Sequence, residues 1–310
     1  PERPAQVGRI SGAFAYGSIP LALAAGFVSG PGALSLPGAL SFPGALSLLL
    51  DLTGVLVLVA GGWAGMALVD PPRRWWPADV DPQVWAVDKS VNRGLRRNRP
   101  AIRSYTPGEL VRCPTAWLMY LVVICVAAVA LFDAAYLAVF VHANGWDGRY
   151  AAFAVAVLVA GSGLVRAPAG TAGDRFGRDR VLRVALCVGA VGQLLLLGGG
   201  EHAMPAVLLV GAGVAGAGSG ACYALLPGLV GAYFGEDTGL PNFGILYSAK
   251  GVGGVLGVGL AAFVVFPDGY VASFATAAAV STAGAVLLRV LRRPGLPRLL
   301  LPVPVDPALS

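Results

Sequence analysis

Apolar residues run along most of this chain in stretches too long for a strand and too continuous for one face of a surface helix. Eight of them, near 8–29, 44–69, 115–141, 149–171, 181–199, 204–234, 241–266 and 270–291, reach the roughly 20 residues needed to cross a hydrocarbon core about 30 Å thick. Only helices suit such runs, because a strand edge in lipid leaves backbone N–H and C=O groups unpaired. The pattern therefore predicts an all-α membrane protein with about eight transmembrane helices. Between the first two runs the sequence PGALS occurs three times, at 31–35, 37–41 and 43–47. A proline every six residues opposes a continuous helix, so an irregular connection outside the bundle is expected there.

The polar positions gather in the connections and set an orientation. Nine of the 22 basic residues fall in 71–114, four in 175–183 (Arg175, Arg178, Arg180, Arg183) and four in 289–298, while Arg3 precedes the first run and Arg9 stands at its start. With eight spans all of these lie on one side, and the opposite connections carry only Arg149. An excess of Lys and Arg marks the cytoplasmic side. The expectation is a multi-pass protein of the cell membrane with both termini cytoplasmic. Its segments are 1–70, a basic cytoplasmic loop 71–114, a six-helix unit 115–291 and a cytoplasmic tail 292–310.

Composition sharpens this picture. Of 310 residues 56% are hydrophobic and 12% charged, and the mean hydropathy is +0.74. That is too little charge to cover a soluble surface, so the lipid bilayer is the expected partner. The net charge of +6 sits in short connections between apolar runs, a topology pattern that argues against nucleic acid. The 44 glycines suit helices that approach closely in lipid. Cys113, Cys125, Cys187 and Cys222 lack metal-ligand spacing and read as small buried residues, and His142 and His202 fall at span ends. No cofactor, ATP loop, metal cluster or catalytic triad is evident, no enzyme activity is expected, and no obligate protein partner is indicated.

Two cations interrupt the apolar runs. Arg166 lies deep in the fourth and Lys250 in the seventh. A charge near the bilayer centre costs about 2.5–3.5 kcal/mol on insertion scales, so it persists only beside a partner, a watery cavity or a substrate. Two such cations on separate helices suggest a site for an anion: a guanidinium grips a carboxylate through two parallel hydrogen bonds, and an ammonium adds a compact charge. The other reading pairs them with Asp133 or Asp51, the acidic residues clearly inside spans. Tyr247 precedes Lys250 by three residues on the same helix face, Ser162 and Gly163 share the face of Arg166, and Tyr223 is a polar-tipped aromatic among Gly and Ala.

The segment GTAGDRFGR at 170–178 resembles the G-x-x-x-D-R-x-G-R loop of the major facilitator superfamily, with Gly170, Asp174, Arg175, Gly177 and Arg178 at the motif positions. That motif's role is conformational, with Asp174 able to cap a helix end and pair with Arg. VDPPRRWWP (69–77), YTPGELVRCPTAW (105–117), LVRAPAGTAGDRFGR (164–178), YALLPGLVGAYFG (223–235) and NFGILYSAKGVGGVLG (242–257) are similar to the oxalate/formate antiporter family within it. The resemblance implies that the eight spans are the fifth to twelfth helices of a twelve-helix bundle. Residues 1–70 are then the last two helices of its N-terminal half and 115–291 its C-terminal half, with four helices missing before Pro1. It further implies that Arg166 and Lys250 bind carboxylate in a central cavity, with Tyr223 a cavity aromatic and Ser219 standing where a larger aromatic can occur.

The function expected from this is a secondary active transporter that exchanges small organic anions such as oxalate or formate by alternating access. Tyr223 and Tyr247 complete the substrate-binding set with Arg166 and Lys250. The alternatives are a proton-coupled, lactate-like monocarboxylate symporter, a truncated membrane remnant that does not transport, a channel or non-transporting subunit, and a membrane enzyme.

Overall fold

The computed structural model describes residues 3–29, 45–69, 81, 83–84, 88–89, 93–236 and 238–295. Among them the chain is helical, with no strand. The elements are α1 (Arg3–Ser29), α2 (Ala45–Ala67), a short α3 (Pro107–Val111), α4 (Pro114–Ala143), α5 (Gly148–Phe176), α6 (Arg178–Glu201), α7 (Pro205–Phe234), α8 (Gly239–Tyr247), α9 (Ala249–Gly254), a π-helical turn (Val255–Leu260) and α10 (Ala261–Val290). Most of the PGALS repeat, and most of the tail from 296 on, lie outside the described residues; Ala45–Ser47 of the third copy open α2.

Six stretches among the described residues are long and apolar enough to cross a membrane: Leu50–Ala67, α4, α5, α6, α7 and Gly269–Val290. Helix α1, with 27 residues, is about 40 Å long at 1.5 Å per residue and so has the length of a span. Local signals place the ends. Pro114 and Pro205 stand in the first turn of α4 and α7, where a missing N–H costs nothing. Asp147 caps α5 by accepting from the Tyr150 backbone N–H at 2.9 Å.

The seventh expected span departs from the sequence reading. A single helix is expected over 241–266, whereas the chain forms α8, α9 and the π turn in succession. Ser248, at the break, donates from its hydroxyl to the carbonyl of Ile245 at 2.7 Å, competing with the backbone ladder. Within the π turn, a Cβ on Gly257 would sit 2.0 Å from the carbonyl oxygen of Ala128, so this segment lies backbone to backbone on α4. Gly269, with φ 76° and ψ −177°, then separates it from the last span.

Packing in lipid gains nothing from hydrophobic transfer between helices and rests on close contact instead. Helices α6 and α7 touch where Gly192 faces Ala215 and Gly218 faces Gly189; an added Cβ there would come within 2.4 Å of backbone. Helix α1 packs along α5 and also reaches α7. Helix α2 contacts α1 and is otherwise exposed along its length. Two apolar cores form in the bundle. One gathers Tyr105, Leu110, Met119 and Phe234, and the other Phe132, Phe140, Leu208 and Phe274. Of the cysteines, Cys125 and Cys222 are buried as expected, Cys113 is half-buried and Cys187 is exposed.

Candidate functional site

The contact between α5 and α7 positions the first cation. A Cβ on Gly216 would lie 2.0 Å from the carbonyl oxygen of Leu158, and one on Gly220 would lie 2.2 Å from that of Ser162. Glycine at both positions lets the two backbones meet. One helical turn beyond this contact lie Arg166 on α5 and Tyr223 on α7, and the guanidinium carbon of Arg166 stands 5.4 Å from the Tyr223 ring centre.

Lys250 reaches the same ring from α9. Its Nζ is 5.3 Å from the centre of Tyr223 and 5.6 Å from that of Tyr247. The two tyrosine rings are 6.3 Å apart, edge to face, and Phe243 stacks on Tyr247 at 5.2 Å. The break at Ser248 separates Tyr247 from Lys250 without parting them. The four expected site residues, drawn from α5, α7, α8 and α9, therefore form one cluster.

Arg166 is buried, with 7% of its surface exposed. It donates through Nη1 to the backbone carbonyl of Ser11 on α1 and through Nη2 to the Ser162 hydroxyl at 3.5 Å, while its Nε is buried with no acceptor among the described residues. Tyr223, Tyr247 and Lys250 are half-buried. Among the described residues neither cation lies in ion-pair contact with a carboxylate. Asp133 is bonded to Gln193 instead, and Asp51 is exposed on α2, so the internal ion pair considered from sequence does not form. Ser219 turns back to donate to the Gly216 carbonyl at 3.0 Å.

The combination is two positive groups over one aromatic face, one of them with an unused buried donor. Cation–π contact offsets only part of the cost of holding these charges out of water, so the cluster keeps a net positive charge. An apolar cleft of about 360 Å³ between α4, the π turn and α10, lined by residues such as Ile124, Phe132 and Thr276, contains none of the four residues and lacks the charge an anion needs.

The motif at 170–178 differs from its expected form. Rather than a loop, it is the final two turns of α5, and Gly177 (φ 99°) alone breaks the helix before α6. Asp174 makes no helix cap. It receives a hydrogen bond from Arg178 Nη2 at 3.1 Å, and Arg178 Nη1 donates to the Gly228 carbonyl on α7 at 2.7 Å. Gly170 is buried, and Arg175 is exposed over the ring of Phe176. The start of α6 is served by Asn98 from the basic connection, which accepts from the Arg178 backbone N–H at 2.9 Å and donates to the Gly173 carbonyl at 3.0 Å. Sequence reasoning missed Asn98; its one signal is an amide among arginines.

Comparison with known proteins agrees with this architecture. The family model described as Major Facilitator Superfamily matches residues 116–307. Over 147 residues the chain is 35% identical to an "Uncharacterized 38 kDa protein in 23S RNA operon" of Thermoproteus tenax. That match covers 47% of this chain and 36% of the relative, so the chain spans about a third of that protein's length.

Proposed function

Because the chain belongs to the Major Facilitator Superfamily, and is thus a multi-pass membrane transporter, we propose that it exchanges small organic anions of the oxalate or formate class. Arg166 and Lys250 bind the carboxylate, and Tyr223 and Tyr247 form the aromatic wall that orients the two cations. The observation that carries this reading is the convergence of Arg166 and Lys250 on the Tyr223 ring at 5.4 and 5.3 Å.

Exchange follows from the charge. An empty site holds one buried and one half-buried cation, and moving them through a closed, water-free state is costly. A bound carboxylate neutralises them, so the loaded site crosses more easily than the empty one and exchange outruns leak. Residues 1–70 then belong to the N-terminal half and 115–291 to the C-terminal half, which rock about the site at the cell membrane. Gly170, Asp174, Arg175, Gly177 and Arg178 act in that motion, since Arg178 ties the α5–α6 turn to α7 in this conformer.

Counterflow tests the proposal. The protein is reconstituted in proteoliposomes loaded with oxalate, formate or lactate, and entry of the labelled anion is followed beside Arg166→Gln and Lys250→Gln. Saturable exchange of one anion, lost in both variants, is expected. Exchange that survives in both variants would place the site elsewhere.

A further inference from the structure

Asp133 on α4 and Gln193 on α6 are 1% and 0% exposed. Gln193 Nε2 donates to Asp133 Oδ2 at 2.8 Å. The two remaining oxygens, Asp133 Oδ1 and Gln193 Oε1, are both buried with no hydrogen-bond partner among the described residues. An ionised carboxylate offers acceptors only, and so does the amide oxygen, so the pair lacks one donor. Turning the amide over would set Gln193 Oε1 against Asp133 Oδ2, two acceptors face to face, and lose the one bond the pair has.

Among the described residues no cation supplies the missing hydrogen. Among the elements packed on α4, α5 brings Arg166, which is turned to Ser11, Ser162 and Tyr223, and α9 brings Lys250, which faces Tyr223 and Tyr247. Helix α7 brings Cys222 and Tyr223, α8 Tyr247, and α10 Tyr270, which lies against Phe140. On α4 itself, Cys125 is buried two turns earlier and Tyr136 donates to the Val258 carbonyl. Among the described residues none of these hydrogen-bonds or ion-pairs with Asp133, whose partner is the Gln193 amide. A bare carboxylate there would be an unpaired charge in the membrane interior.

We propose that Asp133 is a proton-binding site: it holds a proton on Oδ1 and donates it to Gln193 Oε1, forming a neutral acid–amide ring that joins α4 to α6. Both orphaned oxygens are then satisfied by one added hydrogen. The proton comes from water and returns to water; no other bond changes. Resting on the transport reading above, this makes Asp133 the site through which anion movement couples to protons.

The bound proton is tested without substrate, by infrared spectroscopy of the lipid-reconstituted protein at pH 7. The wild-type minus Asp133→Asn difference is expected to show the C=O stretch of a protonated carboxylic acid. Asn preserves both hydrogen bonds without a proton, so this variant is expected to keep the wild-type thermal midpoint. Gln193→Met is expected to shift the acid band, because the acid loses its partner. A difference spectrum showing only carboxylate bands would overturn the assignment, as would an acid band unmoved in Gln193→Met. Coupling is read separately: an inward proton gradient should accelerate anion entry in wild type and not in Asp133→Asn, and equal acceleration in both would overturn the coupling role alone. If no anion moves in any variant, the transport reading fails while the infrared result still decides the proton site.

Discussion

Arg178 donates to the carbonyl of Gly228 at 2.7 Å while the same guanidinium holds Asp174 at 3.1 Å. One side chain thus joins the end of α5 to the middle of the last turns of α7, across the break at Gly177. A hydrogen bond from a charged donor contributes about 1.5–3 kcal/mol. Arg178→Gln is expected to lower the unfolding free energy in lipid by about that amount. Gly228→Ala acts on the same contact, because its Cβ would lie 2.7 Å from Arg178 Cζ. The two losses are expected to be less than additive, since they remove one interaction. Full additivity in thermal or denaturant unfolding would show that the two residues act independently.

Gly220 sets how closely α7 approaches α5. Gly220→Ala places a methyl 2.2 Å from the carbonyl oxygen of Ser162, and backbone cannot swing aside as a long side chain does. Overpacking of this kind costs about 1–3 kcal/mol. The variant is expected to lose stability and, because Tyr223 follows by three residues, to lose anion affinity as well. A thermal midpoint equal to wild type would mean that the helices can separate freely at this level.

The Tyr223 ring, rather than its hydroxyl, is the part both cations face. Tyr223→Phe is therefore expected to hold anion affinity within about twofold, while Tyr223→Leu weakens it roughly two- to thirtyfold, the range that cation–π contacts span. Equilibrium binding of labelled anion to the two variants checks this. Equal loss in both would assign the role to the hydroxyl.

Much of this site was legible in the sequence, and the reasons are specific. Arg166 and Lys250 stood out because a charge in an apolar run has to be explained, and Tyr223 because it was a lone ring amid small residues. What the sequence could not convey was partnership. Arg166 bonds the backbone carbonyl of Ser11, and every residue has a carbonyl. Gln193 carries no charge, so its bond to Asp133 left no mark in the pattern. The apolar run over 241–266 read as continuous because hydropathy is blind to the Ser248 hydroxyl and to glycines that press against α4. The motif at 170–178 read as a loop because it is polar and rich in glycine, yet α5 keeps its hydrogen bonds up to Gly177.

A pH effect is expected outside the bundle. Glu109 in α3 accepts from the backbone N–H and hydroxyl of Thr106, and pairs with Arg103 at 2.8 Å. The Thr106 bonds, foremost, and then Arg103 hold its carboxyl below the usual range. The contribution of this cap is complete above the ordinary Glu value of about 4.3 and is lost as pH falls through the lower folded value. Thr106→Val keeps the backbone bond and removes the hydroxyl, so the Glu109 midpoint is expected to rise. An unchanged midpoint in a carboxyl NMR titration would place the cause elsewhere.

The central claim is that Arg166 and Lys250 hold one carboxylate ligand together. Direct calorimetric binding of oxalate, formate and lactate to wild type, Arg166→Gln, Lys250→Gln and the double variant tests it most directly. Truncating one side of a buried charge contact costs at least about 2 kcal/mol, or roughly thirtyfold in affinity. Each single variant is expected to lose at least that much for the one anion that binds, and the double variant less than the product of the two. Two independent losses that multiply, or binding that persists in both single variants, would contradict a shared site.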